Sequence, residues 1–338
     1  MTRRAVALAA AVAAAALLAG CSSASSSSSQ VSESGTLRLG FTFNLADAPA
    51  LAGLQLGYFT ADLHGVVVDP APFASNAAEV AALEHGQLDA AYIDPVAAVA
   101  AWQSAPGLIK IIAGAASGGA ELVVRTGITT ARQLAGAPLA APAGGAQQAA
   151  LDTWLRQQGA YSPGAGRITM ASWYLVKALQ AGHLAGAWEP APEDAQMVAA
   201  GGRVLVNEAS LWPGGRFATA VLVVTSRYLA AHPAAVTGLL KAQIQTEKQL
   251  TTAPGSAQQA VNTELATAQG ARLPAPVLAQ SFAQISFTED PLAGSILAEA
   301  QHAATAQLLK PVQDLTPLYD LGMLNKLLRA AGQRQVSA

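Results

Sequence analysis

Residues 37–113 read LRLGFTFNLADAPALAGLQLGYFTADLHGVVVDPAPFASNAAEVAALEHGQLDAAYIDPVAAVAAWQSAPGLIKIIA, a stretch in which strand-like and helix-like apolar patterns take turns. Residues 37–43 and 65–69 carry the first two strand patterns, with a helix over 48–63 between them. A helix over 77–84 follows, stopped by Gly86, then a short apolar strand at 88–93, a helix at 96–103 and a strand at 108–113. This β-α-β-α-β-α-β series predicts an α/β fold with a mainly parallel sheet, helices on both faces and a ligand site at the carboxyl ends of the strands.

Moving outward, a fifth strand at 120–125 leads to a short helix capped near Thr130, after which the pattern restarts. Strands are predicted at 138–141, 168–171, 184–188, 204–206 and 217–225, and helices at 147–157, 175–181 and 195–200. From residue 226 the strands are expected to stop. Helices broken by Pro233, Pro254, Pro274, Pro291 and Pro311 take over, with apolar spacing at Leu229, Val236, Leu239 and Leu240. A second α/β unit inserted between strands near residues 122 and 222 makes the chain cross between lobes twice. The expected lobes are residues 36–122 plus 223–338, with the helical C-terminal region, and residues 123–222. Two crossings predict a hinge, and small-molecule sites favour such interfaces.

The N-terminus adds an address. Arg3 and Arg4, an apolar run over 5–18 and Leu18-Ala19-Gly20-Cys21 read as a secretory signal ending in a lipobox, residues 1–21. The run is shorter than the ~20 residues a spanning helix needs. Residues 22–35 are a Ser-rich linker. In bacterial lipoproteins with a similar N-terminus the lipobox cysteine is acylated after cleavage, so Cys21 is the expected lipid anchor and the chain is expected on the extracytoplasmic face of the cell membrane. Cys21 is the sole cysteine, which leaves no thiol for a disulfide, a zinc site or a nucleophile.

Composition narrows the classes. With 12% charged residues and a net charge of −2, the chain offers no field for nucleic acid. His64, His85, His183, His232 and His302 show no metal-ligand spacing, and no G-x-S-x-G elbow, P-loop or G-x-G-x-x-G is present. Neither a metal, a cofactor nor an enzymatic activity is expected. Asp89 and Asp152 read as solvated or helix-surface charges.

Five segments carry a family resemblance: residues 40–59 (GFTFNLADAPALAGLQLGYF), 83–95 (LEHGQLDAAYIDP), 117–125 (SGGAELVVR), 179–192 (LQAGHLAGAWEPAP) and 211–224 (LWPGGRFATAVLVV). In this order they resemble the nitrate/taurine/aliphatic-sulfonate family of ABC-transporter substrate-binding lipoproteins. The resemblance implies the type II periplasmic-binding-protein fold, two α/β lobes joined by two crossing strands. It also implies a monomer that captures a small anionic or zwitterionic organic molecule, sulfonate- or taurine-like or amine-bearing, and delivers it to an ABC permease with its ATPase. Alternatives are a thiamine-pyrimidine-synthase-like enzyme, whose cysteine-rich motif this chain lacks, or a ligand sensor for a membrane signalling protein.

The implied ligand contacts are Phe43, Asn44, Asp47, Ser75, Asn76 and Asp94 with Pro95 in the first lobe, and Gly144, Gly145, Gln147, Trp188 and Glu189 in the second. Gly118, Gly119, Glu121 and Thr219 lie near the crossings. Trp188 reads equally as a ligand contact and as a core plug, and Asp94-Pro95 also reads as a helix cap. The sequence departs from the family where side-chain donors are replaced, at Ala46-Asp47, residues 144–148 and Asp94. Asp47, Asp94, Glu121 and Glu189 are then expected near one cleft, with only Arg216 and Arg125 as nearby cations. That balance favours a ligand bearing an amine or basic heterocycle, unless these carboxylates cap helices or pair with arginines.

Overall fold

The strands are β1 (Gly35–Thr42), β2 (Val66–Phe73), β3 (Ala90–Ile93), β4 (Ile109–Gly118), β5 (Ala120–Val124), β6 (Leu139–Ala140), β7 (Arg167–Ile168), β8 (Gly186–Pro190), β9 (Arg203–Asn207), β10 (Ala218–Thr225) and β11 (Ile285–Phe287). They come from a computed structural model that describes residues 35–338 apart from 64, 164–166, 169 and 171. The expected signal, Cys21 and all but the last residue of the linker lie outside the described residues. Two sheets form, ordered β11-β4-β10-β3-β1-β2 and β7-β6-β8-β5-β9.

Both sheets are mixed, which corrects the expectation of a mainly parallel one. In the six-stranded sheet β1 runs parallel to β2 and β3. Strand β10 returns after the second sheet is complete and enters between β3 and β4, antiparallel to both. In the five-stranded sheet β6 is parallel to β7 and β8, while β5 opposes β8 and β9. Strands covered on both faces read as unbroken apolar runs. Along β10, Leu222 and Val224 face Leu37, Leu39 and the helix Pro233–Thr252, whereas Val221 and Val223 face Ala91, Ile93, Val99 and Ile296.

The chain changes sheet at Gly118–Gly119 and again between Asn207 and Ala218, so the expected boundaries at 122 and 222 fall inside β5 and β10. Gly118 and Gly119 have φ of 83° and 75°, a pair of left-handed residues that breaks one extended run into β4 and β5. The expected helix over 48–63 is two, Ala48–Gln55 and Tyr58–Asp62, parted where Gly57 takes φ 75°. Strands do not stop at 225. Strand β11, too short for a period-2 pattern, pairs with the edge of β4 between the helices Ala275–Ala283 and Ala293–Thr305.

The charges read as solvated are not. Asp89 is buried and takes Arg38 through Nε (2.9 Å) and Nη2 (2.7 Å). Asp152, also buried, pairs with Arg167 at 2.6 Å. Among the described residues no helix is long and apolar enough to cross a membrane.

Candidate functional site

Three strands of the six-stranded sheet deliver polar residues from their carboxyl ends, each into the start of a helix. After β1, Asn44 caps a single 3-10 turn: its Oδ1 accepts from the Asp47 N–H (3.2 Å), and its Nδ2 donates to Thr42 Oγ1. Asp47 closes the same turn by accepting from Thr42 N–H and Oγ1, both at 2.7 Å. After β2, Ser75 caps the helix Asn76–Glu84 by accepting from Ala78 N–H (3.3 Å). After β3, Asp94 caps the helix Pro95–Ser104 through Oδ1 and Ala97 N–H (3.0 Å), with Pro95 at its first position.

The other oxygen of Asp94 reaches the second sheet. Its Oδ2 accepts from the Ala146 N–H (3.0 Å), the first residue of the helix Ala146–Gln157 that follows β6. Gly145 is buried against this bond, and a Cβ there would stand 3.2 Å from Asp94 Oδ2 and 3.5 Å from Asn76 Nδ2. Gly144, at φ 71°, donates its N–H to Gln148 Oε1 (2.8 Å), and Gln147 is buried. A second contact between the sheets joins Leu45 N–H to the Ala191 carbonyl (2.9 Å). Asn44, Asp47, Asn76, Asp94 and Gly145 are thus brought together.

Around them sit acids that sequence reasoning missed. Glu79 is fully buried and neither carboxyl oxygen has a hydrogen-bond partner among the described residues. It is close enough to Asp47 and Asp94 that their charges, after burial itself, hold its pKa well above the carboxylate range. Glu208 accepts from two indoles, Trp188 Nε1 (2.6 Å) and Trp212 Nε1 (3.4 Å). Burial, opposed by these bonds and reinforced by Asp94, pushes it up to about 7. Glu299, on the helix Ala293–Thr305, is pushed well up by burial and by Asp94 and Glu208. Burial raises Asp47 to about 7 against the Thr42 bonds, and Asp94 to about 6 against its backbone N–H donors. The missed glutamates did leave a trace. Glu79 shares a helical stripe with Ala82 and Leu83, as Glu299 does with Ile296, Ala300 and Ala303, and all are buried.

Glu121 and Glu189 do not join this group. They face one another across β5 and β8 and form a second group with Glu193 and Asp194. Asn207 Nδ2 donates to Glu121 Oε1 (2.9 Å). Asp194, buried and beside Glu121 and Glu193, is pushed up to about 8. Thr219 Oγ1 donates to the Gly118 carbonyl (2.8 Å), tying the two crossings together.

Trp188 is 0% exposed, edge-on to Trp154 with ring centroids 6.2 Å apart, and holds the core of the five-stranded sheet. Phe43 is half-buried, its ring edge-on to Phe41 at 5.6 Å. The expected cations stand elsewhere: Arg216 lies 3.7 Å from Asp290, and Arg125 is exposed beside Gly182. No ion pair reaches Asp47, Glu79, Asp94, Glu208 or Glu299 among the described residues. Nor do three His, Cys, Asp or Glu side chains there converge as a metal site.

Residues 30–266 match the model of the NMT1-like family. No curated protein matches the chain. Among solved structures it is similar to the periplasmic nitrate-binding protein NrtA of Synechocystis PCC 6803, at 15% identity and a TM-score of 0.75 over 88% of this chain and 89% of that one. It is also similar to the ligand-binding component of an ABC-type import system of Staphylococcus aureus, solved with zinc bound, at 16% identity and TM-score 0.69 over 86% and 97%. The periplasmic aliphatic sulphonate-binding protein SsuA of Escherichia coli aligns at 18% identity and TM-score 0.67 over 84% and 92%. These likenesses establish the periplasmic-binding-protein fold.

Proposed function

The chain belongs to the NMT1-like family, and we propose that it is the extracytoplasmic solute-binding component of an ABC importer, a lipid-anchored monomer that traps a small organic molecule between two lobes. The observation that carries this reading is the Asp94–Ala146 bond. It joins the loop after β3 to a helix N-terminus of the other sheet, at the carboxyl ends of the strands, where ligands of open α/β sheets bind. The proposed lobes are the bodies built on the two sheets, and the hinge is the pair of connections through Gly118–Gly119 and residues 208–217. Lobe closure follows the hinge mode, with the closed form docking on a permease. The proposed contacts are Asn44, Asp47, Asn76, Asp94, Gly144, Gly145 and Gln147. Solved neighbours described as binding proteins support a binding role.

A thermal-shift series tests this on the full-length chain in detergent, against nitrate, taurine, alkanesulfonates, amino acids, amines and thiamine precursors. At a hundredfold excess over Kd a true ligand adds about 2.7 kcal/mol, a few degrees in Tm. Silence across the whole panel counts against the reading. The anchor has its own test: Cys21→Ser should leave the chain unacylated and out of the membrane fraction, and an unchanged fractionation refutes it.

A further inference from the structure

We infer that the site at the carboxyl ends of β1 and β3 receives a protonated nitrogen, an amine, amidine or basic heterocycle, seated among Asp47, Glu79 and Asp94. The inference rests on the solute-binding reading and names the ligand class for that site. Its first support is the composition of the site's walls. Asp47, after β1, is held on Thr42 of that strand, Glu79, on the helix after β2, lies against Gly40 two residues earlier on β1, and Asp94, after β3, holds Ala146 N–H, while Glu208 and Glu299 are near enough for Asp94 to raise both. No lysine or arginine pairs with any of them among the described residues. An anionic head group here meets no paired cation, and each carboxyl that ionises at close range weakens it severalfold or more.

The second, independent support is Glu79. A fully buried carboxyl with two unpartnered oxygens is costly, because proteins bond such groups almost without exception, so Glu79 lacks the polar partner that its burial calls for. The sequence keeps room for it: β1 carries Gly40 where a Cβ would lie 2.9 Å from Glu79 Oε1. The other site carboxyls have donors already, Thr42 for Asp47 and the N–H groups of Ala97 and Ala146 for Asp94, so they are fixed in place. An ammonium or amidinium supplies several N–H donors and a positive charge to Glu79 and its neighbours at once. The bonds made on binding are hydrogen bonds, and the proton each carboxyl gives up passes to solvent.

The experiment is calorimetry on the full-length chain in detergent. The cationic probes are putrescine, benzylamine and guanidinium, and the matched anions are ethanesulfonate, acetate and nitrate. The expected result is binding of at least one cation and none of the anions. Glu79→Gln and Asp47→Asn should each weaken that cation tenfold or more, while Asp69→Asn, on the exposed part of β2, leaves it unchanged. The unmutated chain gives a readout that needs no variant to fold. Its affinity for the cation should fall as the pH drops from 8 to 5, by up to tenfold per unit for each proton displaced, because the cation competes with protons on Asp47, Glu79 and Asp94, with Glu208 and Glu299 adjoining. Anion binding without cation binding overturns the inference and leaves the solute-binding reading standing. Cation binding indifferent to both substitutions overturns the assignment to this cluster. Silence from both sets overturns the inference and counts against the solute-binding reading as well.

Discussion

Replacing Asp47 with Asn should reverse sign in its effect on stability as the pH rises. Asp47 titrates at about 7 in the folded chain, against 3.8 normally, chiefly because it is 2% exposed. The folded state therefore binds a proton that the unfolded state has lost between about pH 4 and 7, and stability falls as pH rises through that window. Each unit is worth about 1.36 kcal/mol, so the full penalty above pH 7 is on the order of 4 kcal/mol, less whatever the site recovers by admitting water. Asn carries no such penalty. Its Oδ1 can accept from Thr42 N–H and Oγ1 as Asp47 does, but its amide finds no acceptor in the turn, a cost of about 1–2 kcal/mol at every pH. Urea midpoints of ligand-free chain at pH 4.5, 6, 7.5 and 9 should show the variant weaker than the parent at the acid end and stronger by about 2 kcal/mol above neutrality. A difference between the two chains that is flat in pH would falsify the assignment of a buried proton to Asp47.

Two further outcomes follow from the packing. Gly40→Ala places a Cβ 2.6 Å from Leu88 Cδ1 and 2.9 Å from Glu79 Oε1, so it should destabilise the chain by about 1–3 kcal/mol, and a melting temperature equal to the parent's refutes the close approach. Arg38→Met strips the guanidinium from Asp89, whose side chain is 6% exposed, and should cost about 3 kcal/mol at pH 7, a loss that shrinks as the pH falls through the carboxylate range because the unpaired Asp89 of the variant takes up a proton before the paired one of the parent; a loss independent of pH contradicts the pairing.

The fold was legible in the sequence wherever an element was long and periodic. Because strands covered on both faces must be apolar throughout, the alternation over residues 37–113 located β1 to β4 and the helices Asn76–Glu84 and Pro95–Ser104 within a few residues, and took two further helices for one. It could not tell the direction of β10. A returning strand has the same apolar content whichever way it runs, and only the connection between Asn207 and Ala218 decides that it opposes β3 and β4. Likewise β11 has three residues, below any period, and exists because the edge of β4 offers it hydrogen bonds. The cap at Asp94 was readable because capping is local chemistry, whereas Asn44 and Ser75, expected only as ligand contacts, turn out to cap helices as well. Grouping the acids was not. Asp47 and Asp94 meet, while Glu121 and Glu189 pair across β5 and β8 elsewhere, a consequence of strand register that spacing does not encode.

The same buried acids explain how a chain of nearly neutral net charge can hold a strongly polarised interior. With burial pushing Asp47 and Glu208 up to about 7, Asp94 to about 6, and Glu79 and Glu299 well above the ordinary carboxylate range, part of the cluster is protonated at neutral pH and carries less charge into its low-dielectric surroundings. Neutral carboxyls donate as well as accept, so the sheets can meet at Asp94 and Ala146 without opposing like charges. A cation arriving at the cluster exchanges for those protons and restores the charge it needs. The fold shared with nitrate- and sulphonate-binding structures therefore does not dictate the sign of the ligand. The inferred sign follows from the side chains after β1 and β3 and from Glu79 on the helix after β2.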